Sequence, residues 1–582
     1  MLSKIFRVVN AAVLVTVLLA ITFAAPTKAL SQGSFVADSG FRPEVDGFKF
    51  ENYGAGFQDL TAADVQRLFG DQVCASLADG KCTLTPPGQQ WMENINKGMN
   101  GGHCEGFAAL SLVFYMQKQS PNEFGGGRVF DLNLQGNEKL QREIALYWAT
   151  QTTSPANAGE IKGTPNEILD ILINSLKPGA PETYTFGLFK PDMTGGHANT
   201  PYAVQDLGGG KFAVKIYENN FPGAPLDMII DRNTNTWSYN ATTNPNEPSS
   251  LYTGDANTKT LSLTPTTPRL TKQACPFCEA GSGFTGRNGS EQAAPKFNQV
   301  WLDRDPNGKV HLLITDEQGK RLGYANGKLV SEIPGASFRS VRGKDLWKDA
   351  EEPLYFVPVG IKFTVTVDAT DVVDKETVDI TMIGPGYDLA AEEVTLDKGQ
   401  KDSITFSPDG SSISYKTDYS ESPDLIIGFE SKGADYAFVV KGADIEPGGT
   451  MNINLDKAKG ALKIFGTGQK SKSTYALIMG RFDDKGEAYF GHDNIELEPK
   501  DSAIFDYTKW NSNGATMPLG VDRNSDGSID ETIQLSDEDN LTATSAATTA
   551  TSNIWLYVGG AVVLLLLVGV GAGVLVMARK KK

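Results

Sequence analysis

Gly101-Gly102-His103-Cys104-Glu105-Gly106-Phe107-Ala108-Ala109-Leu110-Ser111-Leu112-Val113-Phe114-Tyr115-Met116-Gln117 is the stretch on which the fold turns. From Phe107 onward it is apolar nearly all round. A surface helix keeps a polar face, so this pattern predicts a buried central helix over 104–117. The polar groups gather at its start. A thiol in the first helical turn feels the positive end of the helix dipole, which favours thiolate. The glycines just ahead leave room for a substrate backbone.

Working outward, Leu140, Ile144, Tyr147 and Trp148 recur at helical spacing over 137–151. Thr164, Pro165 and Glu167 combine a capping box with proline at the first helical position, and Thr61 to Asp64 opens a short helix ending near Gly70. Strands follow at 197–206 and 211–220. Beyond about residue 245 the chain reads as short strands with turn signals. Ile361, Phe363, Val365 and Val367 alternate, and Pro408-Asp409-Gly410 is a turn, a pattern that suits antiparallel sandwiches.

Both ends read as membrane signals. Lys4 and Arg7 precede an apolar run over 8–25 and small residues up to Ala29, which predicts a cleavable secretory signal over 1–29; a retained anchor is the alternative. Residues 554–577 are uncharged and reach ~36 Å as a helix, enough for one bilayer crossing. Trp555 and Tyr557 suit an outer aromatic belt, and Arg579, Lys580, Lys581 and Lys582 put the tail in the cytoplasm. The localisation expected is a single-pass plasma-membrane protein with its ectodomain outside.

The chain carries 70 acidic against 53 basic residues, and seven of the basic ones lie in the signal and tail. An ectodomain this acidic argues against nucleic acid as a partner. Of five cysteines, Cys74 and Cys82 flank a short loop and Cys275-Pro-Phe-Cys278 is a CxxC. In an exported protein these read as two local disulfides, with a four-cysteine zinc site or a redox CxxC as alternatives. Cys104 is left alone.

A lone thiolate needs a base and a group to orient that base. Gly195-Gly196-His197 and Tyr217-Glu218-Asn219-Asn220 supply candidates. A tight turn at 207–210 makes Asp206 face Lys211, Ala203 face Val214 and His197 face Asn220, with His197 and Asn220 on the core side of the hairpin. A three- or five-residue turn would bring Asn219 opposite instead. His103 points elsewhere on the helix turn and is the poorer base.

In this order and context, Cys104, His197 and Asn220 resemble the papain-like superfamily of cysteine peptidases, including its transglutaminase-like and bacteriocin-leader-peptidase-like branches. The resemblance covers about residues 45–245; the surroundings of the cysteine, GGHCEGF, depart from the C-G-S-C-W type. It implies Cys104 as nucleophile, His197 as base, Asn220 as orienter, Asn100 with the Cys104 backbone N–H as oxyanion donors, and a peptide or protein substrate with no cofactor required for catalysis.

A separate motif, Asp522-Arg-Asn524-Ser-Asp526-Gly527-Ser528-Ile529-Asp530, puts oxygens at alternate positions with glycine sixth, as in calcium loops. Ile533 stands where a bidentate Glu would close the set. Asp522, Asn524, Asp526, Ser528 and Asp530 are therefore candidate Ca2+ ligands, with an Asp-rich hairpin turn as the alternative.

The expectation is a multidomain chain: a signal over 1–29, an α+β papain-like domain over 30–245, a small β region with the CxxC loop over 246–350, one or two antiparallel β-sandwich domains over 351–535, a flexible stalk over 536–553, a transmembrane helix over 554–577 and a basic tail over 578–582. The function expected is a surface-anchored cysteine-dependent acyl-transfer enzyme, peptidase or transglutaminase-like. The alternative is a non-catalytic adhesion or scaffold protein carrying a degenerate papain-like binding module.

Overall fold

A computed structural model describes residues 33–191, 196–224, 226–240, 251–279, 296–305, 308–342, 352–510 and 516–538. The expected signal, stalk, membrane helix and tail lie outside these residues, apart from residues 536–538 of the stalk. The expected fold class is corrected. The described residues are mostly β, with 44% strand against 19% helix, where an α+β domain followed by sandwich modules had been expected. Among the described residues no helix is long and apolar enough to cross a membrane.

The predicted helices form close to their expected bounds. Ala62–Phe69 carries a Thr61/Asp64 capping box and stops at Gly70. Cys104–Tyr115 buries every residue from Cys104 to Phe114. Glu138–Ala149 starts at an Asn137 cap, and Pro165–Ser175 has the Thr164/Glu167 box. A fifth helix, Pro86–Gly98, is capped by the Thr85 hydroxyl with proline in its first turn. The 3-10 turn Met99–Gly101 joins it to the Cys104 helix.

The first region holds eleven strands among the described residues, of which the sequence predicts the sixth and seventh. They are β1 (Phe35–Asp38), β2 (Cys74–Ala78), β3 (Lys81–Leu84), β4 (Ile161–Gly163), β5 (Tyr184–Phe189), β6 (Gly196–Gly208), β7 (Lys211–Tyr217), β8 (Leu226–Asp231), β9 (Thr236–Asn240), β10 (Leu251–Asp255) and β11 (Leu261–Pro265). β2 and β3 form a hairpin of their own. The other nine make one sheet in the order β10-β9-β8-β7-β6-β5-β11-β4, with β1 added to β6. All five residues of β11 are buried. Its alternation, Leu261 and Leu263 against Ser262 and Thr264, covers only the four residues before Pro265, the shortest run that can be read as a strand.

Helices cover both faces of this sheet. The Cys104 helix packs on β5 and β6, with Cys104 and Ala108 against Ala198 and Leu112 against Tyr217. The Pro165 helix packs on the other face, where Ile168, Leu169 and Leu172 meet Phe186, Leu188, Val204 and Ile216.

Between 297 and 536 the described residues form two antiparallel sheets, of nine and eleven strands, around one continuous core. The nine-stranded sheet runs from an edge strand at Ser337–Arg339 through Leu354–Pro358, Phe297–Asp303, Lys375–Gly384, Tyr387–Asp397, Asp424–Phe429 and onward to Gly486–Leu497. The Pro86 helix lies on it. Two disulfides join Cys74 to Cys82 and Cys275 to Cys278, leaving Cys104 as the free thiol.

Candidate active site

Cys104 opens its helix and is 0% exposed. His197 is the second residue of β6, 1% exposed, and pairs with Leu188 of β5. Ala198, one residue on, is the strand's contact with Cys104. The imidazole Nε2 is 2.7 Å from Glu218 Oε1, and the Tyr239 hydroxyl of β9 donates to Glu218 Oε2. Nδ1 has no hydrogen-bond partner of good geometry among the described residues, and the Cys104 thiol lies within electrostatic and hydrogen-bonding reach of the ring. The row is therefore Cys104, His197, Glu218, Tyr239.

Asn220 stands elsewhere. Its Oδ1 accepts from Asn52 Nδ2 at 2.9 Å, and its backbone N–H donates to Glu218 Oε1 at 3.1 Å. Asn219 donates through Nδ2 to the Ala198 carbonyl at 2.8 Å and the Cys104 carbonyl at 3.2 Å, stitching the helix start to the strand. Thr200 faces Tyr217 and Pro201 faces Ile216, the register that would continue to His197 opposite Asn220. β7 ends at Tyr217, however, and the chain leaves the ladder before it reaches Asn220. Nearer the turn, Ala203 faces Lys215 and Asp206 faces Phe212, correcting the expected Val214 and Lys211. The reason is two bulges and a turn at Gly209-Gly210, both at positive φ.

Asn52, 1% exposed, was not anticipated. Its Oδ1 accepts the His103 N–H at 2.8 Å while its own N–H bonds the Asn219 carbonyl at 2.8 Å, tying the loop before Cys104 to the segment after β7. His103 is engaged away from the thiol, with Asp59 at 2.9 Å and the Tyr53 carbonyl at 2.8 Å. Asn100 is exposed, in the turn before the cysteine. It opens onto a cleft of about 590 Å³ shared with Lys97, Asp303 and Asp379.

The charges around the thiol are strongly shifted. Burial pushes the Cys104 thiol up while His197 pulls it down, and the net direction is up. For His197, burial works against the charged ring, but Glu218 and then Cys104 more than offset it and hold the imidazole well above its usual range. Glu105 is the fully buried neighbour of the cysteine. Burial would raise it, yet Arg342 and Arg269 hold its carboxyl down at about 2. Arg342 Nη1 reaches Glu105 Oε2 at 2.7 Å, Arg269 Nη2 donates to Oε1, and Thr185 Oγ1 adds a bond at 2.8 Å. Nothing near Cys104 in the sequence announces residues 269 and 342. Glu218 alone carried a readable signal, as an acid in the run already quoted for its asparagines.

In the 522–530 loop, Asp522 is fully buried and accepts the N–H groups of Asp526 and Gly527, each at 3.0 Å. Asn524 Oδ1 also accepts from Asp526, Asp526 Oδ1 from Ser528, and Asp530 Oδ2 from Arg523. Among the described residues no group of three or more His, Cys, Asp or Glu converges as a metal set.

No protein-family model, curated protein or solved structure matches the chain.

Proposed function

We propose that the chain is an exported, cell-surface cysteine-dependent acyl-transfer enzyme acting on peptide or amide bonds. The observation that carries this reading is the buried row of thiol, imidazole, carboxylate and phenol at the start of the central helix. Such a row supplies a nucleophile, a proton carrier and an anchored group that orients the carrier. Cys104 gives its proton to His197, and Sγ bonds the carbonyl carbon. The C–N bond then breaks as His197 returns the proton to the leaving amine. Water or a second amine cleaves the thioester. Glu218, in place of Asn220, fixes the ring through Nε2 and leaves Nδ1 to face the thiol. The two disulfides support an oxidising compartment.

A thiol-directed peptidyl probe on the intact chain tests the proposal. Cys104→Ala should abolish labelling and His197→Ala should cut it by roughly 100-fold or more near neutral pH. Glu218→Gln should cost about tenfold or more, and Asn220→Ala less. Equal labelling with and without His197 removes the enzyme reading. The second reading, a binding module without catalysis, draws on the full burial of both Cys104 and His197.

We also propose the 522–530 loop as a weak calcium site, because Asp522 already gathers the backbone around one carboxylate. Calorimetry with calcium should give heat that Asp526→Ala loses; equal heats refute the site.

A further inference from the structure

We infer that the segment Ser340 to Arg342 is an internal strap that holds the Cys104–His197 site shut, so that the chain folds as a latent enzyme opened by withdrawing this segment. The inference rests on the acyl-transfer reading of that site. Nucleophilic attack needs a carbonyl carbon ~3–3.5 Å from the thiol, and a cysteine that is 0% exposed admits none. Arg342 lies beside it: its Nε sits over Gly187, the β5 pairing partner of Ala198, against which Cys104 packs.

The strap leaves the edge of the nine-stranded sheet after Arg339 and crosses to the first region. There the Arg342 backbone forms a single parallel bridge with Gly196, the residue directly before His197. Its carbonyl accepts from Trp148 Nε1 at 2.7 Å and Gln151 Nε2 at 3.4 Å, and its N–H donates to Gln151 Oε1 at 2.8 Å. Its guanidinium reaches past β5 and β11, bonding Ser262 Oγ at 3.0 Å, Thr264 Oγ1 at 3.2 Å, Glu160, and Glu105 beside the cysteine. At Gly187 of β5 a Cβ would come within 2.8 Å of Arg342 Nε, so only glycine leaves this path open.

Two features make the strap removable. Among the described residues its backbone pairs through one isolated bridge and no ladder, so it can leave without unzipping a sheet. The carboxylates it would abandon also keep partners. Arg269 remains on Glu105, and Lys162 stays 3.8 Å from Glu160. Breaking a buried ion pair is costly because it strands a lone charge. Here neither acid is stranded.

Iodoacetamide alkylation of Cys104, the free thiol, tests the strap without requiring catalysis. In the full-length native chain alkylation should run roughly 100-fold slower than in the unfolded chain. Arg342→Ala should speed it about tenfold or more. Gln151→Ala, which removes two side-chain bonds to the Arg342 backbone and leaves every charge in place, should speed it several-fold at a nearly unchanged melting temperature. Gln151→Ala keeps the test alive if Arg342→Ala does not fold. Folded variants that alkylate as slowly as the parent overturn the strap, as does a parent that alkylates as fast as the unfolded chain. If alkylation accelerates while the peptidyl probe still fails to label, the strap stands and the acyl-transfer reading falls.

Discussion

Two buried carboxylate sites in this molecule have opposite fates. Glu105, beside Cys104, is ringed by Arg269, Arg342 and Thr185 and is held down at about 2. Asp388 and Glu392, under the Pro86 helix on the nine-stranded sheet, are as deeply buried. Neither Asp388 oxygen has a hydrogen-bond partner among the described residues. Burial, with Glu93 as a like charge, pushes Asp388 up to about 8. Glu392 is likewise raised by burial to about 8, with Lys97 pulling down and Asp379 and Glu93 pushing up, and it accepts one bond at 3.5 Å from Gln90. Glu93 itself is raised by burial to about 7. Loss of water sets the same cost at both sites, and a guanidinium in the shell decides whether the acid stays charged or takes up a proton. The first site is therefore held in its ionic form, and the second is pushed by burial toward its protonated form.

The sharpest way to break this contrast is Glu105→Gln. It leaves two buried guanidinium groups without their shared carboxylate and should cost ~3–5 kcal/mol of stability, read by denaturant unfolding at pH 7. A loss under about 1 kcal/mol would mean that the network is not buried as described.

The pH dependence of the unaltered chain comes next. Unfolded carboxylates titrate near ~4. Glu105 titrates lower in the fold, so the stability it contributes is full above ~4 and is lost as pH falls toward 2. Asp388, Glu392 and Glu93 titrate higher in the fold, so the folded chain holds protons that the unfolded chain has released. Stability should fall as pH rises from ~4 through about 8, by several kcal/mol in total. A melting temperature that stays flat between pH 5 and 9 contradicts the second site.

The smallest effect sharpens the comparison by neutralising one acid. Asp388→Asn should stabilise the chain by on the order of 2 kcal/mol at pH 8 and far less at pH 4. Destabilisation at pH 8 would show that the carboxylate has a partner after all.

Much of the local structure was legible because local chemistry sets it. Capping boxes at Thr61 and Thr164 marked helix starts, apolar completeness marked the Cys104 helix, and spacing alone paired Cys74 with Cys82 and Cys275 with Cys278. The start of the site was legible for the same reason: Cys104 and His197 do sit at a helix and a strand start and do meet. The third member was missed because register reasoning extends a ladder indefinitely, whereas β7 stops at Tyr217 and hands Glu218 to the ring. The Pro86 helix was missed because Thr85-Pro86-Pro87-Gly88 reads as a turn. The β-rich fold class was underestimated because strands such as β11 are short, with only Leu261 and Leu263 to carry an alternation. Arg269 and Arg342 could not be anticipated by any local rule, since ion pairing at long range leaves no trace in spacing.

The bond from Arg342 to Glu105 spans 237 positions of the chain, and that separation sets an order of events in time. A chain emerging from its amino end makes Glu105 and Arg269 well before Arg342, so an early fold of the first region carries one arginine on its buried acid and no strap. Closing a loop of that length costs about 5 kcal/mol of chain entropy beyond a constant. That cost is met only once the strands around Ser337–Arg339 have a sheet to join. Under the strap proposal, covering of the thiol is then among the last acts of maturation, and a chain arrested before residue 342 would expose a cysteine that the finished molecule buries.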